Sequence, residues 1–477
     1  MTIKFFNKVY GCQANVADSE GLSKFLLGLG CSQANIESDA DLIIINTCAV
    51  REKAEQKLFS FIGRLADLKK AKPYLKIGII GCVASYKKQE LYTSFDCINF
   101  VHGAREEIGM LQEYLKEIVL HLQQVKQKHQ ANPIAKIRSI KQVRDIKNFL
   151  SKIKNQAPIL NKESISNLNL KIHACGTQQI SDSDLLLRSH INIMTGCNKY
   201  CAYCIVPFTR GREISYPFAE ILQAVKKDLD RGVKEINLLG QNVNSYIDPE
   251  TRAKFPELLK QVADLAGDFW VRFVSAHPQD MTQDLFDVMS QHRDKLTAYL
   301  HFPLQSGSNK ILKAMNRNYS AEEFLQKIEW ARMALQGLTI TTDIIVGFPG
   351  ETEEDYLETR KLMEVIKFDQ IYSFVYSKRQ YTKAFSMSDD CPESVKLKRL
   401  MDLQARQREI SLERNQAWIG KTLKILVEKQ LENGKLLART EGNTRILVDS
   451  HTSLTGKFTN ACVENASVVN LFGKLVD

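Results

Sequence analysis

Long apolar stretches are missing from this 477-residue sequence, and no run approaches the roughly 18 apolar residues of a membrane-spanning helix. The first residues, MTIKFFNKVYGC, also lack the apolar core and small-residue cleavage site of a signal peptide. We therefore expect a cytoplasmic protein without a membrane partner. Disulfide frameworks are rare in that reducing compartment, so the eleven cysteines favour metal binding or catalysis over cross-linking.

Acidic residues are scarce between His121 and Ile180, where eleven Lys or Arg stand against only Asp145 and Glu163. This segment carries most of the formal net charge of +10. A charge run of this kind is either a solvated surface or an electrostatic contact for a phosphate backbone. Because its aromatics are few and its periodicity is poor, we predict a basic linker or insertion over residues 120–182.

A fourth metal ligand is missing beside the three cysteines of GCNKYCAYCIVPFTRGRE, residues 196–213. The spacing of Cys197, Cys201 and Cys204 lets one loop place three thiolates around one corner of a metal cluster. A 4Fe-4S cube normally takes four cysteines, and a structural zinc site also needs four ligands. Three thiolates on a cube leave one iron open for a substrate or cofactor. A structural zinc loop or three unrelated buried thiols are the alternatives.

The CxxxCxxC spacing resembles that of the radical S-adenosylmethionine (SAM) enzymes. In those enzymes the open iron binds the amino and carboxylate groups of SAM. The resemblance therefore implies a 4Fe-4S cluster and SAM as cofactors of this chain.

Three further cysteines each follow an apolar, strand-like run in the N-terminal part of the chain. Cys12, Cys48 and Cys82 follow the runs 4–10, 41–45 and 75–80, which alternate with helical patterns. Such alternation predicts an open parallel sheet, and sites in open parallel sheets lie at the carboxyl ends of the strands. We therefore expect the three thiols to converge on one edge. Three independently buried thiols are the alternative. A helix over residues 103–119 is predicted to close this domain.

Six more strand candidates follow from residue 187 onward, separated by helical patterns. They are residues 191–195, 235–239, 271–275, 299–304, 338–346 and 370–376. Six β/α units predict a partial (β/α)6 barrel, so the fold class is α/β. Each strand is followed by polar or glycine-rich residues. Barrels of this kind place their catalytic and binding residues at these carboxyl ends of the strands.

Several of these segments resemble the methylthiotransferase family of radical SAM enzymes: YGCQAN, NTCAVREKAE, LLGQNVNSY, SAHPQD, LHFPLQSGS and TTDIIVGFPGETEED. The resemblance implies that Cys12, Cys48 and Cys82 hold an auxiliary 4Fe-4S cluster. It also implies a SAM site in which Gly240, Gln241 and Asn242 approach the methionyl amine. Ser275, Gln305, Arg317 and Asp343 would line the same pocket. His277 and His301 are expected to be structural. The segment YSKRQYTKA departs from the family pattern at the substrate rim.

The C-terminal part combines a charged amphipathic helix, residues 391–416, with short strands and glycine turns that predict a small β-barrel. Through NGKLLARTEGNTRILVD it resembles the TRAM domain, an RNA-binding barrel; a generic barrel without RNA contacts is the alternative. The predicted domains are 1–119, a methylthiotransferase N-terminal domain; 120–182, the basic linker; 183–416, the radical SAM barrel; and 417–477, the TRAM domain.

The family resemblance implies methylthiolation of carbon 2 of an isopentenylated adenosine beside the anticodon of a tRNA. One cluster would cleave SAM to a 5′-deoxyadenosyl radical, the other would hold the transferred sulfur, and a second SAM would methylate that sulfur. The implied partners are tRNA and a reducing electron donor protein, and we expect a monomer. Threonylcarbamoylated adenosine or an aspartate of a ribosomal protein are alternative substrates. The non-enzymatic alternative is an iron-sulfur RNA-binding sensor.

Overall fold

The computed structural model describes residues 2–49, 52–131, 187–450 and 452–476. Of the predicted basic segment, residues 120–131 belong to the helix Ile108–Ala131, and the remainder up to residue 182 lies outside the described residues.

The N-terminal domain is built on an all-parallel open sheet with the strand order β2-β1-β3-β4-β5. Its strands are β1 (Lys4–Tyr10), β2 (Ser32–Gln33), β3 (Leu42–Thr47), β4 (Lys76–Gly81) and β5 (Phe100–Gly103). The central strand β3 is buried over its whole length, as expected for a parallel strand covered on both faces. The three strands predicted to precede cysteines are confirmed, whereas β2 and β5 were not predicted.

Helices cover both faces of this sheet. They are α1 (Gln13–Gly28), α2 (Glu52–Ala71), α3 (Cys82–Tyr86), α4 (Lys88–Ser94) and α5 (Ile108–Ala131). The helix predicted over residues 103–119 was wrong at both ends. Gly103 ends β5, where a Cβ would lie 2.9 Å from Ser85 Cα. The apolar face of α5 continues through Leu122, which is fully buried in the same core cluster as Leu111 and Leu115, so packing extends the helix.

The central domain contains the six predicted parallel strands and one short hairpin. The strands are β6 (Arg188–Asn192), β7 (Met194–Thr195), β8 (Ile214–Ser215), β9 (Glu235–Leu239), β10 (Trp270–Phe273), β11 (Tyr299–His301), β12 (Thr339–Val346) and β13 (Gln370–Val375). β6, β9 and β10 form one parallel sheet, and β11, β12 and β13 form another. The two meet where Val271 N donates to Lys295 O (2.9 Å) and Thr297 N donates to Val271 O (3.3 Å). The result is an open arc, which confirms the partial (β/α)6 barrel.

The helices of this domain lie mostly outside the arc and share one large apolar core with it. They are α6 (Val206–Thr209), α7 (Phe218–Leu229), α8 (Phe255–Ala263), α9 (Gln283–Gln291), α10 (Asn309–Ala314), α11 (Ala321–Ala334), α12 (Glu353–Ile366) and α13 (Glu393–Gln416). α12 begins with a capping box, in which Thr352 Oγ1 accepts from Asp355 N and Asp355 Oδ2 accepts from Thr352 N. In the described residues, no helix has the length and apolar character needed to cross a bilayer.

The C-terminal domain is a closed five-stranded barrel in the order β14-β15-β16-β18-β17. Its strands are β14 (Thr422–Gln430), β15 (Lys435–Thr440), β16 (Arg445–Asp449), β17 (Phe458–Ala466) and β18 (Asn470–Val476). It packs against the edge of the central sheet where the strands begin. Trp270, the first residue of β10, meets Phe458 edge to face at 4.8 Å, and Arg272 Nη2 donates to Thr440 O at 3.0 Å. The loop that carries Cys197, Cys201 and Cys204 lies at the opposite end of this sheet, beyond the carboxyl end of β6.

Candidate functional site

The N-terminal cysteines lie together at one edge of the sheet, where three neighbouring strands end. The set is Cys12, Cys48 and Cys82. Tyr10, Thr47 and Gly81 form one row of the sheet, because Tyr10 pairs with Thr47 and Thr47 pairs with Gly81. Cys48 and Cys82 directly follow the last two residues, and Cys12 caps α1 just beyond Tyr10. The predicted convergence is therefore present, while the role of these residues as cluster ligands stays a prediction.

These thiols influence one another electrostatically. A side-chain hydrogen bond with Cys48 is the largest effect on Cys12, and together with the charge of Arg210 it lowers the pKa of Cys12 to about 6. Burial raises the pKa of Cys82, and the charge of Arg210 opposes that rise. Thiolates are the form in which cysteine binds metal, so a nearby cation and a lowered pKa suit a metal-binding set.

A buried polar network forms the floor beneath these cysteines. Asn15 Nδ2 donates to Asn46 Oδ1 at 2.7 Å, and Asn46 Nδ2 donates back to Asn15 O at 2.9 Å and to Ser19 Oγ at 3.0 Å. Gly81 lies against this network with φ +95°, and a Cβ there would lie 2.2 Å from Asn46 Oδ1. The bonds fix the first turn of α1 to β3, and hence Cys12 relative to Cys48.

The central cysteine loop connects two short strands that pair with each other. β7 and β8 pair Met194 with Ser215 and Thr195 with Ile214, so residues 196–213 leave and return at the same place. Gly196 starts the loop with φ +79°, and a Cβ there would lie 2.0 Å from Arg212 O. Only glycine fits such a close approach with a positive φ.

The interior of the loop is fastened to the rest of the central domain. Ala202 N donates to Met315 O at 2.8 Å, and Ala384 N donates to Ala202 O at 2.7 Å. Asn316 Nδ2 donates to the carbonyl oxygens of Lys199 and Tyr200 at 3.1 and 3.0 Å. The loop is therefore held from both sides by residues far away in sequence.

The three thiols of this loop, Cys197, Cys201 and Cys204, form a second mutually interacting set. Burial raises the pKa of Cys197 to about 12, and burial also raises the pKa of Cys204, with Cys201 adding to both effects. Such thiols become thiolates when a metal centre displaces their protons, because a coordinating thiol is deprotonated outright. The donor set therefore fits a group that brings strong positive charge into a buried site.

The donors of each set are three thiols. Among the residues that the structure describes, no group of three or more His, Cys, Asp or Glu side chains is arranged to hold a single metal ion. Each thiolate of a 4Fe-4S cube binds a different iron, so three thiols suit a cube that keeps one iron open.

The segment Gly240-Gln241-Asn242 after β9 packs directly onto the start of the cysteine loop. Gln241 Oε1 accepts from Gly196 N at 2.6 Å. Asn242 Nδ2 donates to Asp280 Oδ2 at 2.7 Å, while its Oδ1 accepts from a backbone N–H. A Cβ on Gly240 would lie 2.5 Å from Met194 Cγ. These residues shape the loop, and their contact with SAM stays a prediction.

The other predicted SAM residues come from neighbouring parts of the arc: Ser275 and Gln305 follow β10 and β11, Asp343 lies within β12, and Arg317 follows α10. Ser275 and Gln305 both have positive φ, +66° and +72°, an uncommon conformation for residues other than glycine that often marks functional sites. Arg317 is almost fully buried, and its Nη1 donates to Cys201 Sγ at 3.5 Å. Asp343 Oδ2 lies 3.1 Å from His301 Nε2. Arg317 therefore contacts the cysteine set directly, which its position in the sequence could not show.

The two histidines expected to be structural both lie inside the site. His277 Nε2 is 4.0 Å from Cys201 Sγ, and burial, together with the charges of Arg317 and Lys199, lowers the pKa of His277 to about 2. It is therefore a neutral imidazole. His301 bridges Thr341 Oγ1 (2.9 Å) and the Asp343 carboxylate. Their structural role stays a prediction, although His277 touches a cysteine of the site.

Sequence reasoning missed one residue that joins the two cysteine sets. Arg210 belongs to PFTRGRE in the central loop, but its Nη2 donates to Asp18 Oδ2 in the N-terminal domain at 2.8 Å. Neither residue was assigned a role from the sequence. A salt bridge between residues 192 positions apart has no local signal.

Two family models match this chain. Residues 191–363 match the Radical SAM superfamily, and residues 4–103 match a group described as Uncharacterized protein family UPF0004. Among curated relatives, the tRNA-2-methylthio-N(6)-dimethylallyladenosine synthase of Carboxydothermus hydrogenoformans is 37% identical over 98% of this chain and 98% of its own length. The synthase of the same name from Chlorobium luteolum is 33% identical over 98% and 96%.

The chain belongs to the methylthiotransferase family of radical SAM enzymes. Membership assigns SAM and a 4Fe-4S cluster as cofactors. The match to the radical SAM model includes Cys197, Cys201 and Cys204, and the second matched segment includes the other set.

Solved structures share the fold of this methylthiotransferase at low sequence identity. Radical SAM methyltransferase TsrM from Kitasatospora setae, with cobalamin and a [4Fe-4S] cluster bound, superposes with a TM-score of 0.51 at 12% identity over 81% of this chain and 77% of that chain. The same protein with tryptophan and a SAM analogue gives a TM-score of 0.52 at 10% identity, over 80% and 75%. At this identity the likeness supports the fold alone.

Proposed function

We propose that this chain methylthiolates carbon 2 of an isopentenylated adenosine next to the anticodon of tRNA. The observation that carries the proposal is the near-complete coverage of synthases named for that product, at 33% identity or more. The presence of two three-thiol sets supports a chemistry that needs two open clusters, one to activate SAM and one to hold sulfur. The alternatives with another nucleoside or a protein aspartate share the clusters and differ only in the target.

The two sets would serve as two cluster sites with different duties. Cys197, Cys201 and Cys204 would hold the SAM-binding cluster, and the N-terminal set, Cys12, Cys48 and Cys82, would hold the auxiliary cluster. When bound and reduced, the first cluster supplies a 5′-deoxyadenosyl radical from SAM, chemistry that belongs to the cofactor and that the protein orients. Gln241 and Asn316 would keep the loop in the shape that leaves the fourth iron open.

One rim of the site carries aromatic and basic groups suited to RNA. Phe208 of the cysteine loop and Tyr381 of the loop after β13 are both exposed, with ring centroids 6.3 Å apart. Beside them a cleft of about 380 Å³ separates α2 from Ser377, Lys378 and Arg379. Unpaired RNA bases stack on aromatic side chains, and phosphates pair with Lys and Arg. An anticodon loop would find both kinds of contact here.

The C-terminal barrel would be a TRAM-type RNA contact on the far edge of the central domain. Arg439 and Arg445 line a cavity of about 630 Å³ that opens between this barrel, β13 and α13. Basic side chains around a groove of this kind support binding of a phosphate backbone. A reducing protein would supply electrons to the clusters.

Nucleoside mass spectrometry of tRNA tests this proposal. Cells that lack the chain should lose the 2-methylthio derivative of isopentenyladenosine and accumulate the unmethylthiolated nucleoside, and a plasmid copy should restore the product. Loss of a methylthiolated threonylcarbamoyladenosine instead would move the target to the first alternative. Purified, reduced protein that binds SAM without cleaving it would favour the iron-sulfur sensor.

A further inference from the structure

Arg210 reaches from the central domain into the N-terminal cysteine site. Its side chain is only 6% exposed, and its Nη2 lies 2.8 Å from Asp18 Oδ2. Asp18 lies in the second turn of α1, the helix that Cys12 caps. The guanidinium is therefore buried beside a set of thiols to which its own domain contributes no cysteine.

The backbone around Arg210 is fixed by the N-terminal domain. Only five residues separate Arg210 from Cys204 of the central set. Between them, Ile205 packs into the core of the N-terminal domain, and Thr209 O accepts from Ser85 Oγ of α3 at 3.0 Å. The carbonyl of Phe208 accepts from Arg105 Nη1 at 3.2 Å. Residues 205–210 therefore link the two cysteine sites, and these contacts together with the Asp18 salt bridge hold the guanidinium in place.

The guanidinium of Arg210 lies close enough to act on two of the three thiols. It forms a side-chain hydrogen bond with Cys82, which is 4% exposed, and its charge also acts on Cys12. The residue before it is fastened to α3, whose first residue is Cys82, by the hydrogen bond from Ser85 Oγ to Thr209 O. A guanidinium remains protonated at any ordinary pH, so this charge is permanent.

We propose that Arg210 is a positioning residue of the auxiliary cluster site, supplied by the radical SAM domain to hold the thiolates of Cys12 and Cys82 and to set the reduction potential of the group they bind. The proposal rests on the auxiliary cluster proposed above. Three thiolates and the Asp18 carboxylate concentrate negative charge at one edge of the sheet, and reduction of a cluster adds more. Because net charge and hydrogen bonds to sulfur tune such potentials, a fixed cation there favours the reduced state.

The alternative is that Arg210 only neutralises the Asp18 carboxylate and joins the central domain to the N-terminal domain. A buried ion pair is often replaceable by neutral residues without loss, whereas removal of one partner leaves an unpaired charge. The combination Asp18→Asn with Arg210→Met therefore separates the two roles. It restores electrical balance at the domain contact but leaves the thiolates without their cation.

The test uses the full-length, reconstituted protein and follows the auxiliary cluster by EPR during a redox titration. SAM addition identifies the signal of the other cluster, because SAM binds there. Arg210→Met and the double variant should both shift the auxiliary midpoint to more negative potential and release its iron to a chelator about 10-fold faster. Arg210→Lys, which keeps the charge, should restore most of the potential. Arg293→Met, which breaks a salt bridge to Glu441 at the C-terminal barrel, is the matched control and should leave the midpoint unchanged.

Each outcome bears on the proposal. A double variant with the wild-type midpoint and wild-type iron retention would assign Arg210 to domain contact alone and overturn the inference. If Arg210→Met does not fold, the double variant and Arg210→Lys still decide the question. Wild-type protein with only about four irons per chain would instead remove the auxiliary cluster, and with it the proposed function, whatever the Arg210 variants do.

Discussion

Replacement of Gly81 by alanine should disrupt the auxiliary site although all three of its cysteines are kept. Gly81 has φ +95° and ψ −158°, a region that is essentially restricted to glycine. A Cβ would also lie 2.2 Å from Asn46 Oδ1 and 2.8 Å from Thr47 O. Asn46 cannot yield, because it is bonded to Asn15 in both directions. Backbone strain of about 1–3 kcal/mol and overpacking of about 1–3 kcal/mol add to a destabilisation of about 2–6 kcal/mol.

The assay combines thermal unfolding of the N-terminal domain with iron content per chain. For a domain of this size the Gly81→Ala cost lowers the melting temperature by on the order of 10 °C. Because Cys82 follows directly, we expect the auxiliary iron to be lost while SAM cleavage persists. Gly63→Ala is the matched control: Gly63 lies in α2 with no atom within 4 Å of the added Cβ, so alanine should stabilise by about 0.5–1 kcal/mol. Wild-type melting and full iron content in Gly81→Ala would refute this account of how Cys82 is positioned.

Three further predictions address the clusters, the domain contact and the RNA. Cys48→Ala should still form 5′-deoxyadenosine but no methylthiolated nucleoside, whereas Cys201→Ala should form neither; product from Cys48→Ala would contradict the two-cluster mechanism. Burial alone would raise the pKa of Glu235, but the charges of its two arginine partners, Arg272 and Arg188, lower this pKa to about 2. Glu235→Gln should therefore cost about 3–5 kcal/mol at neutral pH, and its stability deficit in chemical denaturation should shrink as pH falls from about 4.3 to about 2. Lys378→Gln should weaken tRNA binding and reduce the salt slope by about 1, while Lys361→Gln on the outer helix α12 should change neither.

Much of the fold was predictable because local sequence patterns indicate most of the strands. Apolar runs of strand length alternate with amphipathic helices, and β9 has the bounds, residues 235–239, that its pattern indicated. The meeting of Cys12, Cys48 and Cys82 was predictable for the same reason: parallel strands end at one edge, so residues just beyond them become neighbours whatever their separation in sequence.

What the sequence did not predict depends on contacts between segments far apart. The pairing of Arg210 with Asp18 requires the central loop to lie across the N-terminal sheet, and no periodicity encodes that packing. The same holds for Arg317 against Cys201, where the arginine arrives from the turn after α10. β5 was missed because Phe100–Gly103 is short, and its identity as a strand comes only from pairing with β4.

The position of the C-terminal barrel constrains how RNA affinity can be examined. This barrel covers the edge where the central strands begin: Arg272 donates to Thr440 O, and Trp270 packs against Phe458. Deletion of residues 418–477 would therefore expose a buried arginine and a buried tryptophan of the catalytic domain, and reduced binding would not distinguish a lost RNA contact from a damaged barrel. The aromatic rim at Phe208 and Tyr381 lies at the opposite ends of the strands. An RNA that touches both would span the length of the central strands, so single substitutions at the two ends should weaken binding additively if each contacts a separate part of the RNA.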